Sequence, residues 1–182
     1  MATKTWALDA SHSDIQFKVK HLMITTVTGS FKTFTGSVVT EGDDITTAKV
    51  QFTADVHSIS TNNEQRDAHL KNGDFFDADS HPQITFAGDR LEKIGDEDYK
   101  LHGTLTMRGV SKQITLNVEF GGIITDPWGN TRSGYTITGK IDRTDFGVSF
   151  GKVSESGAIL LGHDVTIIAN VQFVAQAEAV AA

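Results

Sequence analysis

The chain has 182 residues, enough for one domain with a sizeable core, and carries a net charge of −7. That charge excludes nucleic acid as a bulk electrostatic partner, and the lack of cysteine excludes disulfides, thiolate metal sites and cysteine nucleophiles. No run approaches the roughly 18 apolar residues of a membrane span. Residues 1–9 lack the apolar stretch of a secretory signal, so a cytoplasmic protein is expected, or a periplasmic or secreted one if a leader was removed.

In chain order the pattern is almost entirely that of strands. Residues 6–9 form a short strand candidate. Residues 13–21 alternate, with Ile15, Phe17 and Val19 on one face and Asp14, Gln16, Lys18 and Lys20 on the other, until His21-Leu22-Met23 interrupts. Residues 25–34 are β-branched and aromatic, including Phe31 and Phe34, and Gly29 reads as a bulge. Residues 36–40 continue as a strand, and 41–44 are a turn. Residues 48–57 alternate again, placing Val50, Phe52, Ala54 and Val56 together.

Residues 61–86 break this rhythm. Thr61 and Glu64 have capping-box spacing, and Gly73 offers a left-handed stop, which predicts a polar helix of about three turns between them. Asn62, Arg66 and His69 share one face of it, and Asp67 and Lys71 are spaced to pair. Phe75 and Phe76 follow, as would suit a lid over a hydrophobic hollow.

Strands resume at Pro82, with Ile84 and Phe86 in phase. Residues 99–107 bring Leu101, Leu105 and Met107 together, and residues 113–120 do the same for Ile114, Leu116, Val118 and Phe120. A loop at 126–130 holds Trp128. Tyr135, Ile137 and Ile141 are in phase, residues 145–150 are irregular, and Val165, Ile167, Val171 and Phe173 close the chain. A single domain over 1–174 is expected, with a disordered alanine-rich tail over 175–182.

About eight alternating strands joined by short turns describe an all-β protein: a sandwich or a closed up-and-down barrel. Long strands favour the barrel, as do glycines inside strands at Gly29, Gly103 and Gly139, where a barrel needs bends or close backbone approach. An eight-stranded barrel is just wide enough to hold one small ligand.

The segments WALDASHSDIQFKVKHLMITTVTGSF, NEQRDAHLKNGDFFDADSHPQITF, LTMRGVSKQITL, IDRTDFGVSF and LGHDVTIIANVQF, in this order, resemble the YceI-like family of polyisoprenoid-binding, lipocalin-like proteins. The resemblance spans Trp6 to Phe173. It implies an eight-stranded antiparallel lipocalin-like barrel with a tunnel for an isoprenoid or other long aliphatic chain, and leans towards a homodimer.

Phe17, Val19, Phe31, Phe34, Phe52, Phe75, Phe76, Phe86, Leu105, Leu116 and Ile137 read on their own as packed core, and the resemblance makes them candidates for tunnel wall. Arg66 and His69 are candidates for a ligand head group, because a guanidinium donates two hydrogen bonds at once to a phosphate. His21 is placed near a mouth, and Trp128 either covers a barrel end or anchors its loop. Arg108, Arg143 and Asp145 read as structural ion pairs or solvated turns. The seven histidines lack metal-site spacing, and no nucleophile elbow, phosphate loop or dinucleotide fingerprint is present. The expected function is non-catalytic binding of a polyisoprenoid, isoprenoid quinone or fatty-acid-like lipid, with no catalytic residue, metal or required cofactor. The alternatives are a lipid-modifying enzyme using His69 or Asp67, and a stress-related structural protein.

Overall fold

A computed structural model describes residues 2–150 and 161–177. Its strands are β1 (Thr3–Leu8), β2 (Asp14–His21), β3 (Thr25–Phe31), β4 (Phe34–Glu41), β5 (Asp44–Asp55), β6 (Ile59–Ser60), β7 (Gln83–Lys93), β8 (Asp98–Met107), β9 (Val110–Thr125), β10 (Thr131–Asp142) and β11 (Leu161–Ala175). One helix, α1 (Glu64–Lys71), lies between β6 and β7.

All pairings are antiparallel, and β11 closes the ring. It pairs with β10 along one edge, while on the other β2 takes the stretch from Leu161 to Asn170 and β1 the stretch from Phe173 to Ala175. β2 pairs with β3 and β1 with β4, and β6 continues β5 beside β3. The first six strands are thus three bent staves, and with β7 to β11 they make a closed barrel of eight. Aspartates mark where strands give way. Asp9, Asp55 and Asp142 accept from the backbone N–H two residues on, at Ser11, His57 and Thr144, and each starts a short 3-10 turn. Such side-chain bonds offer the backbone an alternative to the ladder.

The in-strand glycines serve close approach. Gly29 lies opposite Phe17, whose ring fills the space a Cβ would need, so the expected bulge is absent and the register runs through. At Gly103 a Cβ would stand 2.5 Å from the Ala87 carbonyl oxygen and 2.5 Å from the Phe86 ring. Irregular register occurs instead beside Gly88 and Gly134.

The barrel end away from α1 is filled. Tyr99, Phe120, Tyr135 and Phe173 form a chain of rings with centroids 6.3, 5.3 and 5.9 Å apart. Trp6 is buried there, and its indole N–H donates to Thr40 Oγ1 at 3.0 Å. On the rim, Arg132 donates to Asp126 at 2.7 Å and to Asp9 at 2.9 Å, tying the β9–β10 turn to the β1 bend. Hydrogen bonds from Ser11, His12 and Arg132 hold the Asp9 carboxyl well below the usual range, and Arg132 leads the groups that bring Asp126 down to about 2.

Several expectations change. The helix spans eight residues, not three turns, and its N-cap is Asn63, which accepts from the Arg66 backbone N–H at 3.0 Å. Thr61 is not the cap. Its N–H and hydroxyl donate to Asp67 at 2.8 and 2.6 Å, so Asp67 is committed there and makes no pair with Lys71 among the described residues. The helix ends at Lys71 before Asn72 in extended backbone, and the left-handed residue after it is Asp77 (φ 50°), not Gly73. The Phe76 and Ala78 N–H groups cover the Leu70 and Lys71 carbonyls instead. Pairing also continues past residue 174: Ala175 lies opposite Trp6, and the Gln176 N–H donates to the Thr5 carbonyl at 2.8 Å. The rest of the expected tail, 178–182, lies outside the described residues. The β2–β3 turn is unusual. Leu22 (φ 53°) and Met23 (φ 59°) are both left-handed, at a cost of roughly 1–2 kcal/mol per residue for side chains of this type.

Gly103→Ala is expected to destabilise the barrel by about 1–3 kcal/mol in urea unfolding, because backbone stands where the methyl would go. A pH series tests the rim. Carboxylates with depressed folded pKa values add stability above their unfolded value of about 4, and lose it as the pH falls towards the folded one. Wild type should therefore lose stability on acidification towards about pH 2 more steeply than Arg132→Met, which starts lower and lacks that component.

Candidate functional site

Between the aromatic end and α1 the barrel holds an apolar cavity of about 200 Å³. All eight staves contribute to its wall. Alternation produces this directly: inward positions such as Phe17 and Val19 on β2, Phe52 on β5, Phe86 on β7, Leu105 on β8, Leu116 on β9 and Ile137 on β10 all line it. So do Phe31 on β3 and Phe75 and Phe76 behind the helix.

α1 and the segment after it cover one end. Leu70, Phe75 and Phe76 line the cavity, and the Phe76 ring meets Phe31 edge-on at 6.3 Å. Arg108, in left-handed backbone on the β8–β9 turn, donates to the carbonyls of Gly73 at 2.9 Å, Phe75 at 3.0 Å and Gly147 at 3.0 Å. This one guanidinium therefore fastens the lid to the barrel rim.

Among the described residues Arg143 is the one charged side chain in the wall, and it is only 3% exposed. Its Nε donates to Gly162 O at 2.8 Å, Nη1 to Val148 O at 2.8 Å and Phe150 O at 2.7 Å, and Nη2 to Leu161 O at 3.1 Å. Burial lowers its pKa, opposed by the nearby Asp142 carboxylate, and an arginine stays protonated nonetheless. Four carbonyl dipoles solvate the charge within an otherwise apolar wall.

The remaining sequence candidates stand elsewhere. Arg66 lies outside the cavity, with Nε on Thr61 Oγ1 and Nη2 on Thr61 O, both at 2.7 Å, which ties α1 to the residue after β6. His69 is 2.8 Å from Asp74 and packs edge-on against Phe75 and Phe150, both at 5.0 Å. The two do not converge on one point as a clamp. Phe34 is buried against Phe52, behind the wall. His21 is exposed at the end of β2, and Trp128 is 82% exposed in the β9–β10 turn, so it covers no barrel end. Leu101, Ile114, Ile141, Ile167 and Ala169 also line the cavity. Alternation had put most of them on the inner face, whereas nothing in the sequence distinguishes Arg143 as a buried cation. Among the described residues no group of three or more His, Asp or Glu side chains is placed to hold a metal ion, and no helix is long and apolar enough to cross a membrane.

With this geometry in view, residues 6–173 match the model of the YceI-like domain. The chain belongs to the YceI-like family. A UPF0312 protein of Staphylococcus aureus is 39% identical, the alignment covering 92% of this chain and 96% of that one. A YceI protein of Campylobacter jejuni has the same fold at 34% identity, with a TM-score of 0.73 over 87% of this chain and 90% of that one. BcnA of Burkholderia cenocepacia (TM-score 0.79, 22% identity, 91% and 98% covered) shares the fold, as does a polyisoprenoid-binding domain from Saccharophagus degradans (TM-score 0.69, 18% identity, 94% and 98% covered). For this YceI-like chain, the matched residues fall within the closed barrel, which runs from Thr3 to Ala175.

Arg143→Met should destabilise the protein by at least about 2 kcal/mol in chemical unfolding, since it strands buried carbonyls. Arg143→Lys should restore little of this, because an ammonium cannot reach along the directions of a planar fork. Full recovery with lysine would mean that charge alone matters.

Proposed function

We propose that this YceI-like protein is a non-catalytic carrier that encloses one long-chain apolar lipid, such as a polyisoprenoid, an isoprenoid quinone or a fatty-acid-like chain. The observation that carries this reading is the apolar cavity walled by all eight staves, whose single charged member among the described residues, Arg143, is occupied by backbone carbonyls. Such a wall offers burial and no reacting group. Each enclosed CH₂ contributes about 0.8 kcal/mol, before the cost of ordering the chain. Burial alone therefore suffices for tight binding. The polyisoprenoid-binding domain of the same fold supports the ligand class. Arg66, Asp67 and His69 of α1 are engaged with Thr61 and Asp74, which favours a carrier over an enzyme built on His69 or Asp67.

Organic extraction of the purified protein followed by mass spectrometry should release a long-chain species in about equimolar amount. Protein that comes out empty, and takes up no long-chain alcohol, quinone or fatty acid on titration, would overturn the proposal. Ala169, on the cavity wall in the middle of β11, gives a graded check. Ala169→Phe fills the space and should weaken lipid binding at least about tenfold while the protein stays folded, the equivalent of about 1.4 kcal/mol.

A further inference from the structure

The turn joining β2 to β3 breaks two rules at once. The Ile24 N–H donates to the His21 carbonyl at 3.1 Å, and the two residues between, Leu22 and Met23, both have positive φ. A two-residue turn of this hand normally takes Asn-Gly, because those residues tolerate the left-handed region. Here it carries two large apolar side chains that lie open to solvent. Leu22 is 42% exposed, Met23 52% and Ile24 77%. The fold gains no turn preference from them and buries them only in part. Strain held for so small a packing return points to a use outside the folded chain.

The surroundings identify that use. Lys18, Lys20 and Lys140 line a shallow groove with Met23 at the base of the tip, and Lys18 and Lys140 flank Thr166 on the outer face of the sheet. Asp142, Asp164 and His163 are the other titratable groups of that groove, and the Asp142 carboxylate is taken by the Thr144 backbone N–H and hydroxyl. Among the described residues, three lysines against two aspartates make this a locally basic spot on a chain of net charge −7. The opposite barrel end also exposes apolar residues, Ile94, Ile124 and Trp128, but beside Asp96, Glu97, Asp98 and Asp126. Apolar tip and basic collar coincide at the β2–β3 turn, a combination that suits anionic lipid, since anchoring at a bilayer needs both signals.

The tip also sits at the lidded end. His21 pairs with Leu161, whose carbonyl accepts from Arg143. Arg143 in turn holds the Phe150 carbonyl, and the Phe150 ring stacks edge-on against Phe75 of the lid at 5.3 Å. We propose that the Leu22-Met23-Ile24 tip inserts into the surface of an anionic lipid bilayer, with Lys18, Lys20 and Lys140 at the headgroups, and so sets the lidded end of the barrel against the membrane. This docking is independent of what the cavity holds.

Vesicle co-sedimentation tests it. Vesicles of equimolar phosphatidylglycerol and phosphatidylcholine should pull down the wild-type protein at low salt, and pure phosphatidylcholine should do so at least about tenfold less well. The double variant Leu22→Asn with Met23→Gly installs the preferred turn, so it should unfold at a higher temperature than wild type and yet lose vesicle binding. Lys18→Gln and Lys20→Gln should each weaken binding about fivefold. Trp128→Ala should bind as wild type does. Equal sedimentation with and without anionic vesicles overturns the proposal, as does unchanged binding by the double variant. If wild type dimerises without lipid and the double variant does not, the tip belongs to a second copy of the chain and the proposal falls. Protein that proves empty on extraction would end the carrier reading without altering these results.

Discussion

The pairing of β11 with two different strands on the same edge is the constraint on which this molecule depends. β2 takes its first part and β1 its last, and the bend between them lies at Asp9 to Ser13. Had β1 and β2 been one straight strand, the sheet would have to meet itself without this change of direction. Among the described residues, closure gives every stave two neighbours around the barrel. It also sets the interior width, since eight strands enclose a space that side chains just fill or just fail to fill.

Both outcomes occur in this barrel. At one end large rings meet, and Trp6, Tyr99, Phe120 and Tyr135 leave no room. Further along, inward residues are mainly aliphatic, and a hollow remains. The two ends are held by different chemistry. The filled end is rimmed by Arg132 with two carboxylates, a charge network at the surface. The lidded end is held by Arg108 and Arg143, whose partners are backbone carbonyls. A guanidinium bonded to carbonyls keeps its charge, draws loop segments together from several directions, and requires no acidic partner beside an apolar cavity.

The strands and their inward face were readable from the sequence because they follow from period-two alternation, whereas closure was read from strand length, in-strand glycines and the family resemblance. The in-strand glycines carried meaning for the same reason: Gly103 is opposed to Gly88 where the Phe86 ring crosses. The lid was harder to read. Thr61 and Glu64 had the spacing of a capping box, but Asp67 reached Thr61 first, and Arg66 joined it from the same turn. Helical spacing states which side chains share a face. It does not state which backbone group, brought near by the sheet, will compete for them. Arg143 was read as an ion pair or a solvated turn because its actual partners are main-chain carbonyls, of the segment just after it and of the start of β11, which leave no pattern of residue types. Phe34 and Trp128 had the right character for a wall or a cover, but strand register put the first behind the wall and the β9–β10 turn left the second in water.

The chain of rings from Tyr99 to Phe173 has a consequence for order of entry. Phe173 is both the last of these rings and part of the cavity wall, so the hollow has a blind floor. Under the proposed carrier reading, a flexible chain would enter such a vessel tail first and leave head first, and any length beyond the floor-to-lid depth would emerge at the lidded end. The barrel would then measure its guest from one fixed stop, as a depth gauge does, and impose a direction on a molecule whose own tail has none.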